Sequence, residues 1–133
     1  LPEKIEGTPP VNDALHIVYV AGCQDPIMPI SGGEVASCSG GNVLSSFESA
    51  RYWCGYKDCP TFQPRPIKVK DNKTLAFAPD HYNFSPKVTL IELPLGGHQI
   101  PGGIPLLPKD KFGPYQFMKS IPYCLNLINK NHE

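Results

Sequence analysis

One apolar run decides the fold of this 133-residue chain. It reads Ala14-Leu15-His16-Ile17-Val18-Tyr19-Val20-Ala21, and it is rich in β-branched residues with no polar alternation. That pattern predicts a strand covered on both faces in a parallel sheet. Gly22 ends the run. The loop after it lies at the carboxyl end of the strand, where open α/β sheets bind their ligands.

A second strand-like run lies later in the chain, at residues 88–95, and it ends at Gly96-Gly97-His98. Its apolar and β-branched composition again predicts a strand. Apolar residues spaced three and four apart predict helices over residues 41–56 and 115–129, and Pro122 predicts a kink in the second helix.

Alternating strands and helices place the chain in the α/β class with a parallel sheet. A polar turn at 71–74 between residues 67–70 and 75–78 adds a predicted β-hairpin. Two long strands leave an edge and a face unpaired, so we expect this chain to be the C-terminal part of one domain, incomplete without an N-terminal half. Residues 1–12 are an extended lead-in, and residues 13–133 form the predicted core.

Composition narrows the class of partner. The chain is 41% hydrophobic and has a formal net charge of 0, so a nucleic-acid partner is not expected. No apolar run reaches the length needed to cross a bilayer, so no membrane partner is expected. Five cysteines favour a secreted or periplasmic protein with disulfides, and the odd number leaves one thiol free or paired elsewhere.

Two residues carry candidate chemistry. Asp25 and His98 each follow a predicted buried strand, and the ends of neighbouring parallel strands lie close enough for the two loops to touch. A carboxylate that accepts the Nδ1–H of an imidazole leaves Nε2 ready to take a proton from a serine. The plain alternative is an aspartate that braces a turn and a histidine that is only structural.

Three stretches resemble the motifs of one family. Val20-Ala21-Gly22-Cys23-Gln24-Asp25-Pro26-Ile27-Met28-Pro29 is similar to a "His-Gly-x-x-Asp-x-x-Val-Pro" loop, and Ser31-Gly32-Gly33 extends the match. Trp53 followed by Cys59-Pro60 is similar to a tryptophan-then-Gly-Cys helix end. Gly96-Gly97-His98-Gln99-Ile100-Pro101-Gly102 resembles "Gly-Gly-His-Thr-Trp-Pro-Gly". In this order they resemble the polyhydroxybutyrate depolymerase and feruloyl esterase group of α/β-hydrolases.

The resemblance implies an α/β-hydrolase fold and an ester hydrolase that needs no metal and no cofactor. It implies that Asp25 is the triad acid and His98 the general base, with a small-molecule or polymeric ester as substrate. The residues around the two loops that it implies for the substrate pocket are Ile27, Met28, Gln99 and Ile100. Ala21 and Ile100 depart from the family pattern, which carries a histidine and a tryptophan at those places.

No serine of this chain fits the nucleophile that the resemblance implies. The fold carries it in a Gly-x-Ser-x-Gly elbow before the acid, and the sequence contains no such pentapeptide. We therefore expect the N-terminal half of the hydrolase, from the same precursor or another chain, to supply it. The alternatives are part of a serine peptidase of the prolyl oligopeptidase kind, and a non-catalytic binding module or inactive hydrolase relative.

The remaining candidates are predicted to be structural. His16 is expected to pack in the core, whereas His81 and His132 are expected to be solvated. Cys54 and Cys59 have the wrong spacing for a redox pair, and no zinc site is expected. Cys23 lies two residues from the predicted triad acid, which is a poor position for a nucleophile, so a structural thiol is expected there.

Overall fold

A computed structural model describes residues 1–2, 15–36, 41–55, 61–64, 78–98, 100–102, 115 and 119–130. Six strands and two helices lie in this part of the chain. They are β1 Ile17–Gly22, β2 Gly33–Glu34, β3 Asn42–Val43, α1 Ser46–Trp53, β4 Thr61–Pro64, β5 Asp80–Ser85, β6 Val88–Leu93 and α2 Ser120–Lys130. The predicted hairpin at 67–78, His132 and the thiols of Cys38 and Cys59 lie outside the described residues.

The main sheet is mixed rather than parallel throughout. Its order is β1-β6-β5-β4. β1 and β6 are parallel, in a register that runs from Ile17 opposite Val88 to Gly22 opposite Leu93. β5 and β4 are antiparallel to their neighbours. The predicted parallel pairing is therefore found between β1 and β6. β5 and β4 were not predicted as strands, and β5 runs antiparallel to β6 because a tight turn after Ser85 folds the chain straight back.

Helix α1 is shorter than predicted. Residues 42–43 form β3 with β2 instead of the first helical turn. Ser45 caps the helix, because its Oγ accepts a hydrogen bond from the backbone N–H of Glu48 at 3.1 Å. The helix ends at Trp53, and Gly55 follows with φ of 67°, a left-handed conformation that glycine adopts without strain.

Helix α2 begins at Ser120, five residues later than predicted. Pro122 therefore lies in the first turn, where its missing N–H deprives the helix of no internal hydrogen bond. A proline at this position does not by itself require the predicted kink. Within the described residues, no helix is both long and apolar enough to span a membrane.

Strand β6 is covered on both faces. Ile91 and Leu93 pack with Tyr115 and Leu127 on the α2 side. The cluster on the α1 side is formed by Ala50, Phe84, Val88 and Leu90. Leu90 and Ile91 are both 0% exposed, as expected for a strand between two layers. The strand predicted at residues 88–95 is thus confirmed over 88–93.

The prediction that His81 is solvated is wrong. It is 1% exposed on β5, and its Nε2 lies 2.7 Å from the phenolic oxygen of Tyr123 on α2. The polar sequence around His81 suggested a solvated side chain. A hydrogen bond from the opposite layer makes its burial possible. His16, predicted to pack in the core, is half-buried just before β1.

Candidate active site

Both candidate residues lie just beyond the carboxyl ends of the two parallel strands. Asp25 comes three residues after the end of β1, and His98 comes five residues after the end of β6. β1 and β6 are parallel neighbours, so their carboxyl ends lie side by side. The topology therefore brings together two residues that are 73 positions apart in the sequence.

Glycines let the two loops come into backbone contact. A Cβ atom at Gly22 would lie 2.5 Å from the carbonyl oxygens of both Gly96 and Gly97. Real side chains essentially never make so short a contact with backbone. The N–H of Gln24 donates to the carbonyl of Gly96 at 2.9 Å across this contact. The acid loop and the histidine loop are thus joined by main chain before any side chain takes part.

The carboxylate of Asp25 is bound through both of its oxygens. Oδ1 accepts hydrogen bonds from the backbone N–H groups of Ile27 and Met28, at 2.8 and 2.9 Å. Oδ2 lies 2.7 Å from Nδ1 of His98. The side chain of Asp25 is only 10% exposed, whereas that of His98 is 35% exposed. The aspartate is held at the base of the loop, and the histidine ring reaches the surface of the site.

This arrangement determines what the histidine can do. A carboxylate oxygen only accepts hydrogen bonds, so Nδ1 of His98 is the donor in the 2.7 Å contact. In the neutral ring the proton then sits on Nδ1, and Nε2 is left as the basic nitrogen. An imidazole oriented in this way can accept a proton at Nε2 while the carboxylate stabilises the imidazolium that forms.

A cavity of about 430 Å³ lies beside the pair. Asp25 and His98 both line it, and so do Met28 and Ile100, two of the four predicted pocket residues. The backbone N–H of Ile27 donates a hydrogen bond to Asp25. Gln99 lies outside the described residues. The other described side chains on the cavity wall are uncharged, so the space suits a neutral, largely apolar group.

A second polar contact, not predicted from the sequence, lies on the cavity wall. The hydroxyl of Ser46, at the start of α1, donates to Oε1 of Glu92 at 2.8 Å. Ser46 is 5% exposed, and its hydroxyl proton is directed to Glu92 rather than to His98. One signal was available: Glu92 is the only charged residue in the apolar run of β6. A partly buried carboxylate is stabilised by a partner of this kind.

Cys23 lies close to the pair but has the properties of a structural thiol. It is half-buried and free of any disulfide. Burial, aided by the negative charges of Glu92 and Asp80, raises the pKa of the Cys23 thiol to about 11. A neutral thiol is a poor nucleophile at physiological pH. No three histidine, cysteine or acidic side chains of the described ranges cluster closely enough to hold a metal ion.

Comparison with known proteins identifies no similar protein. No protein-family model, no curated protein and no solved structure matches the chain. The geometry of Asp25 and His98 and the motifs that surround them are therefore the features that bear on function.

Proposed function

We propose that this chain supplies the acid and the general base of a serine α/β-hydrolase that cleaves carboxylic esters. The observation that carries the proposal is the 2.7 Å contact between Oδ2 of Asp25 and Nδ1 of His98, at the carboxyl ends of two adjacent parallel strands. The hydrolase-like motifs around both residues support it. The chain corresponds in this proposal to the C-terminal part of the catalytic domain.

The chemistry follows from the protonation state of the ring. Nε2 of His98 takes the hydroxyl proton as a serine oxygen attacks the ester carbonyl, and Asp25 stabilises the imidazolium. The imidazolium then gives its proton to the departing alcohol, which leaves an acyl-serine. Water attacks the acyl-serine with the same ring as the base, which releases the acid and restores the serine. These steps use no metal and no cofactor.

The serine and the oxyanion-binding amides are supplied in this proposal by the N-terminal half of the hydrolase. His98 borders an open cavity with 35% of its side chain exposed, which leaves room beside the ring for a hydroxyl from outside the chain. Apart from Asp25 and His98 the described side chains of the lining are uncharged, which favours a neutral acyl or alcohol group, small or polymeric. The cysteine content supports a secreted or periplasmic location.

Substitutions at the pair test the proposal in the assembled hydrolase, with short p-nitrophenyl esters as substrates. We expect Asp25→Asn to lower kcat about 10⁴-fold, because the amide donates to Nδ1 and holds the wrong tautomer. We expect His98→Ala to lower kcat at least as much. Glu34→Gln, which removes an exposed carboxylate on β2, is the matched control and should retain full activity.

Circular dichroism and urea unfolding must show that both variants keep the fold, and a fluorophosphonate probe should label a serine of the assembled protein. Full turnover in Asp25→Asn and His98→Ala would refute the proposal. Absence of any labelled serine and of ester hydrolysis would favour the non-catalytic binding module. Hydrolysis of peptide substrates in preference to esters would favour the peptidase.

A further inference from the structure

The contact with Asp25 fixes one atom of the His98 ring. Oδ2 of Asp25 lies 2.7 Å from Nδ1, and the N–H of Gln24 binds the carbonyl of Gly96 on the same side of the loop. One hydrogen bond lets the ring pivot about Nδ1, so the place of Nε2 depends on where the loop backbone holds His98. The supports of that backbone therefore bear on the chemistry of the ring.

Two hydroxyl groups from the C-terminal part of the chain bind this backbone. Three residues before His98, the N–H of Leu95 donates to the phenolic oxygen of Tyr115 at 3.1 Å. Three residues after His98, the carbonyl of Pro101 accepts the hydroxyl proton of Ser120 at 2.6 Å. The histidine thus lies midway between two points at which the loop is held.

Both hydroxyls are anchored to the main sheet. Tyr115 is 1% exposed and packs in one cluster with Leu93 and Leu127. Ser120 begins α2, and the hydroxyl of Tyr123 in the next turn of this helix lies 2.7 Å from Nε2 of buried His81. Because these anchors are buried against β5 and β6, the loop is held in a fixed position relative to the strands.

The helix itself does not need the hydroxyl of Ser120. The first internal hydrogen bond of α2 runs from the N–H of Tyr123 to the carbonyl of Lys119. Alanine also forms helices better than serine does. The hydroxyl proton goes instead to Pro101, a buried residue that has no backbone N–H and can be held only through its carbonyl. The contact serves the loop rather than the helix.

Ser120 reaches the candidate site from the side opposite to Asp25. It lines the same cavity as His98, together with Ile100 and Pro101. The side chain of Ile100, between the ring and the Ser120 contact, is 62% exposed, so it adds little packing to this half of the loop. Among the described contacts, the 2.6 Å hydrogen bond therefore does much to hold the backbone beyond the ring.

We propose that Ser120 is a positioning residue for His98, because its hydroxyl holds the carbonyl of Pro101 and thereby sets the direction of Nε2. Tyr115 has the same role on the other side of the ring, through the N–H of Leu95. Both act through the loop backbone and not on the reacting atoms. The effect on the ring follows from the contacts alone, whereas the effect on turnover rests on the proposed function. A displacement of about 1 Å in a reacting group costs about 100-fold in rate.

Steady-state kinetics of the assembled hydrolase measure the effect on turnover. We expect Ser120→Ala to lower kcat about 10- to 100-fold and to change KM less than about twofold, because the ring is displaced while the pocket keeps its walls. Ser120→Thr keeps the hydroxyl and should restore most of the activity. Tyr115→Phe should lower kcat about tenfold.

Tyr123→Phe is the matched control. It removes a hydroxyl of the same helix and lowers the stability of the protein, but that hydroxyl binds His81 and not the histidine loop. We expect its kcat to equal that of the wild type. A loss of kcat that depends on the loop contact is thereby separated from a loss that follows from a weakened α2.

The Nδ1 proton of His98 provides a test that needs no substrate. One lost hydrogen bond raises the population of the open loop about tenfold, so exchange of this proton with water should quicken about tenfold in Ser120→Ala. NMR measures this rate in the 133-residue chain and in the assembled protein. The rate should stay at the wild-type value in Ser120→Thr and in Tyr123→Phe.

Three outcomes would overturn the inference. If the Nδ1 proton exchanges in Ser120→Ala as in the wild type while esters are hydrolysed, the positioning role is wrong and the proposed function stands. A loss of kcat in Tyr123→Phe as large as in Ser120→Ala assigns the effect to the stability of α2. A Ser120→Thr protein as impaired as Ser120→Ala shows that the hydroxyl is not what holds the loop. Faster exchange in Ser120→Ala, in an assembled protein that hydrolyses no ester, supports the positioning role and contradicts the proposed function.

Discussion

Replacing Gly22 by alanine tests how closely the two loops must approach. The new Cβ atom would lie 2.5 Å from the carbonyl oxygens of Gly96 and Gly97, about 0.9 Å inside the 3.4 Å of ordinary van der Waals contact. Neither oxygen belongs to a flexible side chain, so the main chains must separate. A separation of that size would also stretch the 2.9 Å hydrogen bond from Gln24 and the 2.7 Å contact between Asp25 and His98.

We expect Gly22→Ala to lower the free energy of unfolding by about 2–4 kcal/mol, from overpacking and one lost hydrogen bond. Urea unfolding followed by circular dichroism gives this value, and the NMR signal of the Nδ1 proton of His98 reports the contact with Asp25. Gly41→Ala is the control. It adds a Cβ in open space at φ of 60°, so backbone strain should lower the free energy of unfolding by only about 1 kcal/mol. A Gly22→Ala protein as stable as wild type, with the His98 signal unchanged, would refute the reasoning.

Three further substitutions or treatments test other parts of the structure. Tyr123→Phe removes the phenolic partner of buried His81 and should cost about 1–3 kcal/mol in urea unfolding; no loss would contradict the 2.7 Å hydrogen bond. Ser45→Ala removes the cap that binds the N–H of Glu48 and should cost about 1 kcal/mol, measured in the same way. Because burial raises the pKa of Cys23 to about 11, alkylation of Cys23 by iodoacetamide should accelerate about tenfold per pH unit from pH 8 to pH 11. The neutral thiol is the form that the fold favours, so its contribution to stability is complete below about pH 8.5 and is lost as the pH rises through 11. Peptide mapping by mass spectrometry measures the rate at which Cys23 is alkylated, and rapid labelling of Cys23 at pH 8 would contradict the raised pKa.

The two long strands and the contact between their loops could be predicted from the sequence. β1 is a continuous apolar run, and β6 is an apolar and β-branched run with one charged residue, Glu92; both are local signals of a strand. Once both are parallel neighbours, the positions of Asp25 and His98 just beyond them follow from sheet geometry alone. Met28 and Ile100, which the family resemblance implied for the pocket, line the cavity beside the pair.

The remaining parts depend on contacts that local patterns do not contain. β5 has the polar sequence DHYNFS, and the burial of His81 within it depends on a tyrosine 42 positions away. β2 and β3 are two residues each, too short for any periodic signal. The start of α2 at Ser120 places Pro122 in the first turn, where proline is tolerated, a preference that apolar spacing alone does not contain.

The bonding of the Asp25 carboxylate makes the two members of the pair unequal. Two amides of its own loop hold one oxygen, so the aspartate keeps its orientation even when no ring is present. The ring of His98 is oriented by a contact that spans 73 positions and ends on that aspartate. Replacing the histidine by alanine leaves the carboxylate of Asp25 oriented toward a space of the size of free imidazole. Replacing the aspartate by alanine leaves the ring of His98 without the hydrogen bond that orients it.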